Sequence, residues 1–379
     1  MKRRTMVRTG ALALGGALLP APGRAQDAPV LVSLFLRGAM DTLGVIAPHA
    51  DRNYRRLRPQ LGVPAPASND LDLGEGFALH PAFQPLMAHR AHLAFVLATG
   101  LPVANRSHFA AQYVMEHGGE SSVNTEEEGW LTRLVRSLGA DDADLGAVAI
   151  GSALPDSLAG SRALAARPGR AEAAEPSVRA LYDGTSTGQS LTARIRRQGQ
   201  GALRLQERLR QLAALDRDSR EAFGRGGLAR DLQLASRLIS STGVRVLALS
   251  HGGWDTHRGQ ARTLQARGRE LSQALTAFWS SLGDHRRRVA VVVQSEFGRT
   301  AAVNGTGGTD HGYGSSMWVL GDGVRGGVHG DWPGLSERAL FEGRDLRVTT
   351  DYRAVLQAVA TSHLRAPIEG FPSAELGIL

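Results

Sequence analysis

The sequence predicts an α/β protein: three layers, with a mostly parallel central sheet and helices on both faces. Three observations predict it. Apolar, β-branched runs recur along the chain, amphipathic helical segments separate them, and polar, chemically useful residues follow the ends of the runs. The runs are apolar throughout, as expected of strands covered on both faces.

The first 25 residues stand apart. MKRRTMVRTGALALGGALLPAPGRA has a basic start, a short apolar stretch from Ala11 to Leu19 and small residues up to Ala25. That is the pattern of a cleavable export signal, too short and too glycine-rich to span a bilayer. The adjacent Arg3 and Arg4 mark its twin-arginine form, so a folded chain beginning at Gln26 is expected in the periplasm or outside the cell. Cleavage removes five of the 44 basic residues and none of the 36 acidic ones, so the net charge falls from +8 to +3. A charge that small, without a nucleic-acid-binding motif, excludes nucleic acid as the partner. No second apolar stretch approaches membrane-span length, so no stable membrane insertion is expected. Cysteine is absent, which excludes disulfides, thiolate nucleophiles and cysteine-ligated metals.

Residues 26–379 read as one domain. VLVSLFLRGAMD (30–41) is a buried strand with a loop after it, and AHLAFVLATG (91–100) repeats the pattern. SHFAAQYVMEHG (107–118) and GWLTRLVRSLG (129–139) read as helices, and DLGAVAIGS (144–152) as a third strand. From about 156 to 240 the chain turns arginine-rich, with apolar residues three and four apart, and reads as a helical insertion. Strands resume in GVRVLALSHGGWDTH (243–257), and a helix covers roughly 261–282. RVAVVVQSEFGRT (288–300) and SSMWVLGDGVRGG (315–327) supply two more strands before a closing helix at 351–364.

In open α/β sheets the site lies beyond the carboxyl ends of the strands. Asp41 follows the first strand, Asp255 and His257 follow the 243–250 strand, and Glu296 and Arg299 follow the next. Asp310 and His311 sit in the glycine-rich loop TGGTDHGYGSS (306–316), where small residues let the backbone close over a charged centre and turn its N–H groups toward an anion. Asp41, Asp255, His257, Glu296, Asp310 and His311 form an oxygen and nitrogen donor set that suits divalent metals: zinc or manganese, with magnesium or calcium as alternatives, one or two ions. Two ions would clamp the attacking and leaving oxygens of a displacement on phosphorus or sulfur. Ser107 has two readings: a helix N-cap, or a hydroxyl nucleophile at a helix N-terminus, with Arg106 and His108 as contacts for a substrate anion.

Two matches to known motifs lack their context. Gly184-Thr185-Ser186-Thr187-Gly188 has no strand before it, and Gly321-Asp322-Gly323-Val324-Arg325-Gly326 has no helix after it.

The blocks LVSLFLRGAMDTL, NRSHFAAQ, GGWDTH, SEFGRT and GGTDHGYGSSMWVLGDGVRGG, in this order behind a twin-arginine signal, resemble the bacterial DUF1501 family over nearly all of the mature chain. The resemblance implies the alkaline phosphatase-like superfamily, whose phosphatases, sulfatases and phosphoglycerate mutases use two metals and a nucleophile at a helix start. It implies Ser107 as that nucleophile, with Asp41, Asp255, His257, Glu296 and His311, beside Asp310, at the metal-ligand positions. Where the superfamily carries an Asp-His pair, this chain has Glu296-Phe297, and Phe297 cannot ligate. The absence of cysteine excludes a sulfatase whose formylglycine is made from cysteine. The expected function is a metal-dependent hydrolase of a small anionic phosphate or sulfate ester. The alternative is an exported binding or accessory protein, working with an unknown protein partner, that keeps the fold around a degenerate metal site.

Overall fold

The computed structural model describes residues 27–66, 70–122, 127–140, 145–169, 174–183, 190–214 and 220–379. The export signal and the Gly184–Gly188 pentapeptide lie outside the described residues.

Nine described strands form the main sheet: β1 (Val30–Leu36), β2 (Leu93–Gly100), β3 (Ala147–Ile150), β4 (Leu164–Ala166), β5 (Val246–His251), β6 (Val289–Gln294), β7 (Ser315–Gly321), β8 (Gly327–His329) and β9 (Thr350–Asp351). Their order is β8-β2-β7-β6-β1-β5-β3-β4, with β9 also paired to β2. Every pairing is parallel except those of β7, which runs antiparallel to both β2 and β6. The mostly parallel sheet expected from the sequence is therefore present.

Alternation along β1 shows why its run is apolar throughout. Val30, Val32, Leu34 and Leu36 join one core, while Leu31 and Phe35 join the other. The first core lies under α4 (Gly227–Ser241) and α5 (Gln260–Ser281), through residues such as Leu232, Ile239, Leu271 and Phe278. The second lies under α1 (His108–His117), α2 (Trp130–Ser137) and α6 (Tyr352–Val359), through Val114, Trp130 and Val355. Sheet and two helical layers make three. In α5 the buried Leu264, Leu271, Leu275 and Phe278 fall on one face at helical spacing, which is why that stretch folds as an amphipathic cover.

The 156–240 region holds α3 (Leu191–Ala214) and α4, and it also contributes β4, paired in parallel with β3 at the sheet edge. That strand is three alanine- and leucine-containing residues long, which carry no strand signal against a helical background. The 315–327 run is divided, since the chain turns after Gly321 and re-enters the sheet as β8. No helix begins after Gly326, so the dinucleotide-like glycines cradle no phosphate. The closing helix runs as α to Val359 and finishes in a wider π turn over Ala360–Leu364.

Candidate metal centre

The strand ends deliver their polar residues to two separate places. The first is closed. Asp41, just past β1, is 2 % exposed and receives Arg58 on both oxygens, Nη1 to Oδ2 at 2.5 Å and Nη2 to Oδ1 at 2.9 Å. Gln260, the first residue of α5, also donates to Oδ2. Arg58 is itself fixed by the carbonyls of Thr300 and Ala301, at 2.8 and 2.9 Å. Asp41 is thus a buried ion-pair partner, and the structure does not bring it to the other candidate ligands.

The second place is open, and three histidines meet there around Asp255. His257 Nε2 and His311 Nε2 lie 3.0 and 3.3 Å from Asp255 Oδ1, and His108 Nε2 lies 3.5 Å from Asp255 Oδ2. The Nε2 atoms of His257 and His311 are 3.0 Å apart. One potential ligand atom each from His108, Asp255 and His311 falls within 4.8 Å of the others. Each imidazole is held from behind through Nδ1: His108 by Glu296 Oε1 at 2.7 Å, His257 by Asp310 Oδ1 at 2.9 Å, His311 by the Arg106 carbonyl at 2.8 Å. An imidazole anchored in this way presents Nε2 forward, the arrangement that metal-binding histidines adopt.

The remaining predicted residues take supporting places. Glu296, 0 % exposed, is spent: its Oε1 accepts from His108, from the Gly38 N–H and from Gln112 Nε2, and its Oε2 from Ser295 Oγ. Phe297 beside it stacks on the His108 ring at 4.9 Å. Asp310 orients His257 and accepts from Asn304 Nδ2 at 3.1 Å. Arg299, whose side chain is fully buried, donates Nη1 to Asp255 Oδ1 at 2.8 Å and Nη2 to the Thr309 carbonyl. It lies behind the aspartate and is not turned toward solvent. Arg106 offers its carbonyl to His311, while its guanidinium pairs with Asp345 and Glu342. Ser107 is exposed and stands at the N-cap position of α1, where its carbonyl accepts from the Ala111 N–H and its hydroxyl makes no capping bond.

Charge follows this geometry. Burial raises the Asp255 carboxyl, but the hydrogen bond and charge of Arg299, helped by His257 and His108, outweigh it and leave the group below the usual range. The Glu296 hydrogen bond raises His108, while burial lowers His311. Asp310 is lowered mainly by its bond to His257.

The glycine-rich loop closes as its composition suggests, because side chains would not fit. A Cβ on Gly308 would lie 2.3 Å from the His257 carbonyl, and one on Gly312 would lie 2.5 Å from that of Arg299. One expectation fails. The loop's N–H groups do not face an anion, since Gly308 donates to Asn304 Oδ1, Thr309 to the Thr256 carbonyl, Asp310 to Thr300 Oγ1 and Gly312 to the Gly298 carbonyl. Closing the loop consumes its donors.

Two supporting residues escaped the sequence reading. Gln112 stands one helical turn beyond His108, on the same face of α1, and that spacing was an available signal. Asn304 bonds both the His257 carbonyl and Asp310, and nothing in its neighbourhood marks it.

Residues 28–366 match a family model described as protein of unknown function (DUF1501). The chain belongs to the DUF1501 family. No curated protein matches this DUF1501 chain in sequence. Among solved structures it is similar to the C-terminal periplasmic domain of EcEptC from Escherichia coli in complex with Zn, at 8% identity and TM-score 0.34, over 79% of this chain and 74% of that one. It is also similar to a mutant of TAB5 alkaline phosphatase with Mg bound, at 12% identity and TM-score 0.33, over 78% of this chain and 91% of that one. The fold of the DUF1501 protein rests on its own sheet and layers. No helix among its described residues is long and apolar enough to cross a membrane.

Proposed function

We propose that this DUF1501 protein is an exported, metal-dependent hydrolase of a phosphate or sulfate ester, with a single metal held by His108, Asp255 and His311 and with His257 beside them. The observation that carries the reading is the convergence of three Nε2 atoms on one carboxylate, each from a ring anchored through Nδ1. Donor chemistry and spacing fit the group. Two imidazole nitrogens and a carboxylate oxygen are donors that would suit zinc. The ligand atoms of His108, Asp255 and His311 lie within 4.8 Å of one another, close enough to share one ion. His108 Nε2 is moreover buried without a hydrogen-bond partner, a cost that a ligand would remove.

A metal bound there would polarise an ester oxygen and acidify a hydroxyl or water beside it. The chain's own groups supply position. Ser107 is the nucleophile of this reading: its hydroxyl is exposed, unused as a cap, and adjacent in sequence to His108. The first N–H groups of α1 point toward the same end of the helix, where developing negative charge is stabilised. Arg299 holds Asp255 in place and, being buried, is no longer a candidate for gripping substrate. The twin-arginine leader supports export.

The first test is elemental analysis of mature protein purified without chelators, followed by assays with 4-nitrophenyl phosphate and 4-nitrophenyl sulfate. One equivalent of zinc or manganese, with turnover that S107A abolishes while metal stays bound, is the expected result. No metal after resupply sinks the reading. A second reading, an accessory protein that binds without turnover, is favoured by one observation: Arg58 holds Asp41 and Glu296 is spent, which leaves donors for one ion only. Metal binding without turnover of either ester would select it.

A further inference from the structure

A second feature shares no residue with the metal centre and does not depend on its reading. A cavity of about 600 Å³ opens between the end of β4 and helices α3 and α4. Its walls are apolar, built from Leu209, Leu212, Phe223, Ala229 and Leu234. The volume falls within the roughly 300–1,000 Å³ typical of small-molecule sites. The polar lining has one sign: Arg167, Arg225, Arg230 and Arg237 contribute to it, and no acidic residue does among the described residues. Arg237 donates to the Leu212 carbonyl at 3.1 Å, and Arg230 lies near enough to Asp231 for its charge to lower that carboxyl. Arg167 and Arg225 have no hydrogen-bond or ion-pair partner among the described residues.

An apolar chamber alone would take any greasy molecule. A chamber bordered by arginines, two of them without partners, selects one that is apolar at one end and anionic at the other. We propose that this cavity binds a single-chain amphipathic anion of the fatty-acid class, with its alkyl chain against Leu209, Leu212, Phe223 and Leu234 and its acid group between Arg167 and Arg225. Guanidinium groups pair with carboxylates through charge-assisted, often bidentate hydrogen bonds, so the acid supplies orientation and the chain supplies affinity. The site gives the 156–240 region a role beyond covering the sheet.

The test is calorimetric titration of the mature protein with laurate, decanoate and dodecanol. Laurate is expected to bind 1:1, with decanoate roughly tenfold weaker for its two missing methylenes. The double variant R167E/R225E should weaken laurate by about tenfold or more and leave dodecanol unchanged. A229W, which fills the chamber, should abolish both, and L234F, a milder filling, serves should A229W fail to fold. Absence of 1:1 laurate binding, equal affinity for acid and alcohol, or insensitivity to the arginine and filling variants overturns the proposal.

Discussion

Asp41 and Asp255 begin from the same position in the architecture. They follow β1 and β5, neighbouring parallel strands, and each has an arginine against it. Yet the Asp41 pair is sealed, with both side chains at 1 % exposure or less, whereas the Asp255 side chain is 45 % exposed although Arg299 beside it is fully buried. Arg58 takes both oxygens of Asp41, and Gln260 takes what is left. Around Asp255 only one arginine nitrogen is engaged, and the three imidazoles facing it keep their Nε2 atoms forward. A carboxylate whose acceptor capacity is filled inside the protein holds the fold together. One that is half-exposed and faced by imidazole nitrogens is equipped for a ligand.

The sharpest way to break this comparison is to remove Arg58. A buried carboxylate stripped of its partner typically costs about 3–5 kcal/mol, so R58A should lose a large part of its stability in urea unfolding. The carbonyls of Thr300 and Ala301 would lose their donor as well. A cost under about 1 kcal/mol would mean that Asp41 is not structurally committed, and the search for a second metal ligand would reopen.

That contrast also marks the limit of what the sequence discloses. The position of both aspartates after apolar runs was legible, because strand ends announce themselves through hydrophobicity. So was the glycine-rich loop that carries His311, since glycine is needed where one backbone passes against another. What was not legible is which arginine reaches which aspartate. Arg58 lies in the segment RNYRRLRP, where nothing distinguishes it from Arg52, Arg55 or Arg56. Only the tertiary path, bringing that segment under residues 300 and 301, decides the matter. His108 shows the same limit in reverse. Read as an anion contact, it stands among the candidate metal ligands because Glu296, 188 residues away, holds its Nδ1.

Effects at the open cluster should fall on metal and spare the fold. H311A removes one of three donors, and metal should be lost on dialysis while the metal-free protein melts within a few degrees of the parent. A large drop in metal-free stability would place His311 in the same structural class as Asp41. A smaller effect is expected one shell out. E296Q keeps the shape of the side chain but withdraws the negative charge behind His108, and such a change lowers metal affinity by about 10- to 100-fold. Competition with a chromophoric chelator measures it. An unchanged affinity would show that His108 is oriented by Phe297 stacking and not by the carboxylate.

The smallest effect concerns a third aspartate that has neither arrangement. Asp231, on α4, makes no ion pair among the described residues, and burial pushes its carboxyl up to about 6, with Arg230 pulling it down and Glu270 adding to the rise. A carboxyl raised on folding binds its proton more tightly in the native state. The stability this proton contributes is complete below the unfolded value, near 4, and is lost as pH rises through about 6. D231N resembles the protonated form at every pH, so it should match the parent near pH 4 and exceed it at pH 7. The gain should be about 1 kcal/mol or less, because the group is only partly buried and is screened accordingly. Urea midpoints at the two pH values decide it. Equal midpoints at both would mean that Asp231 ionises without penalty, and that burial without a partner costs a carboxylate less here than its sealing with Arg58 suggests.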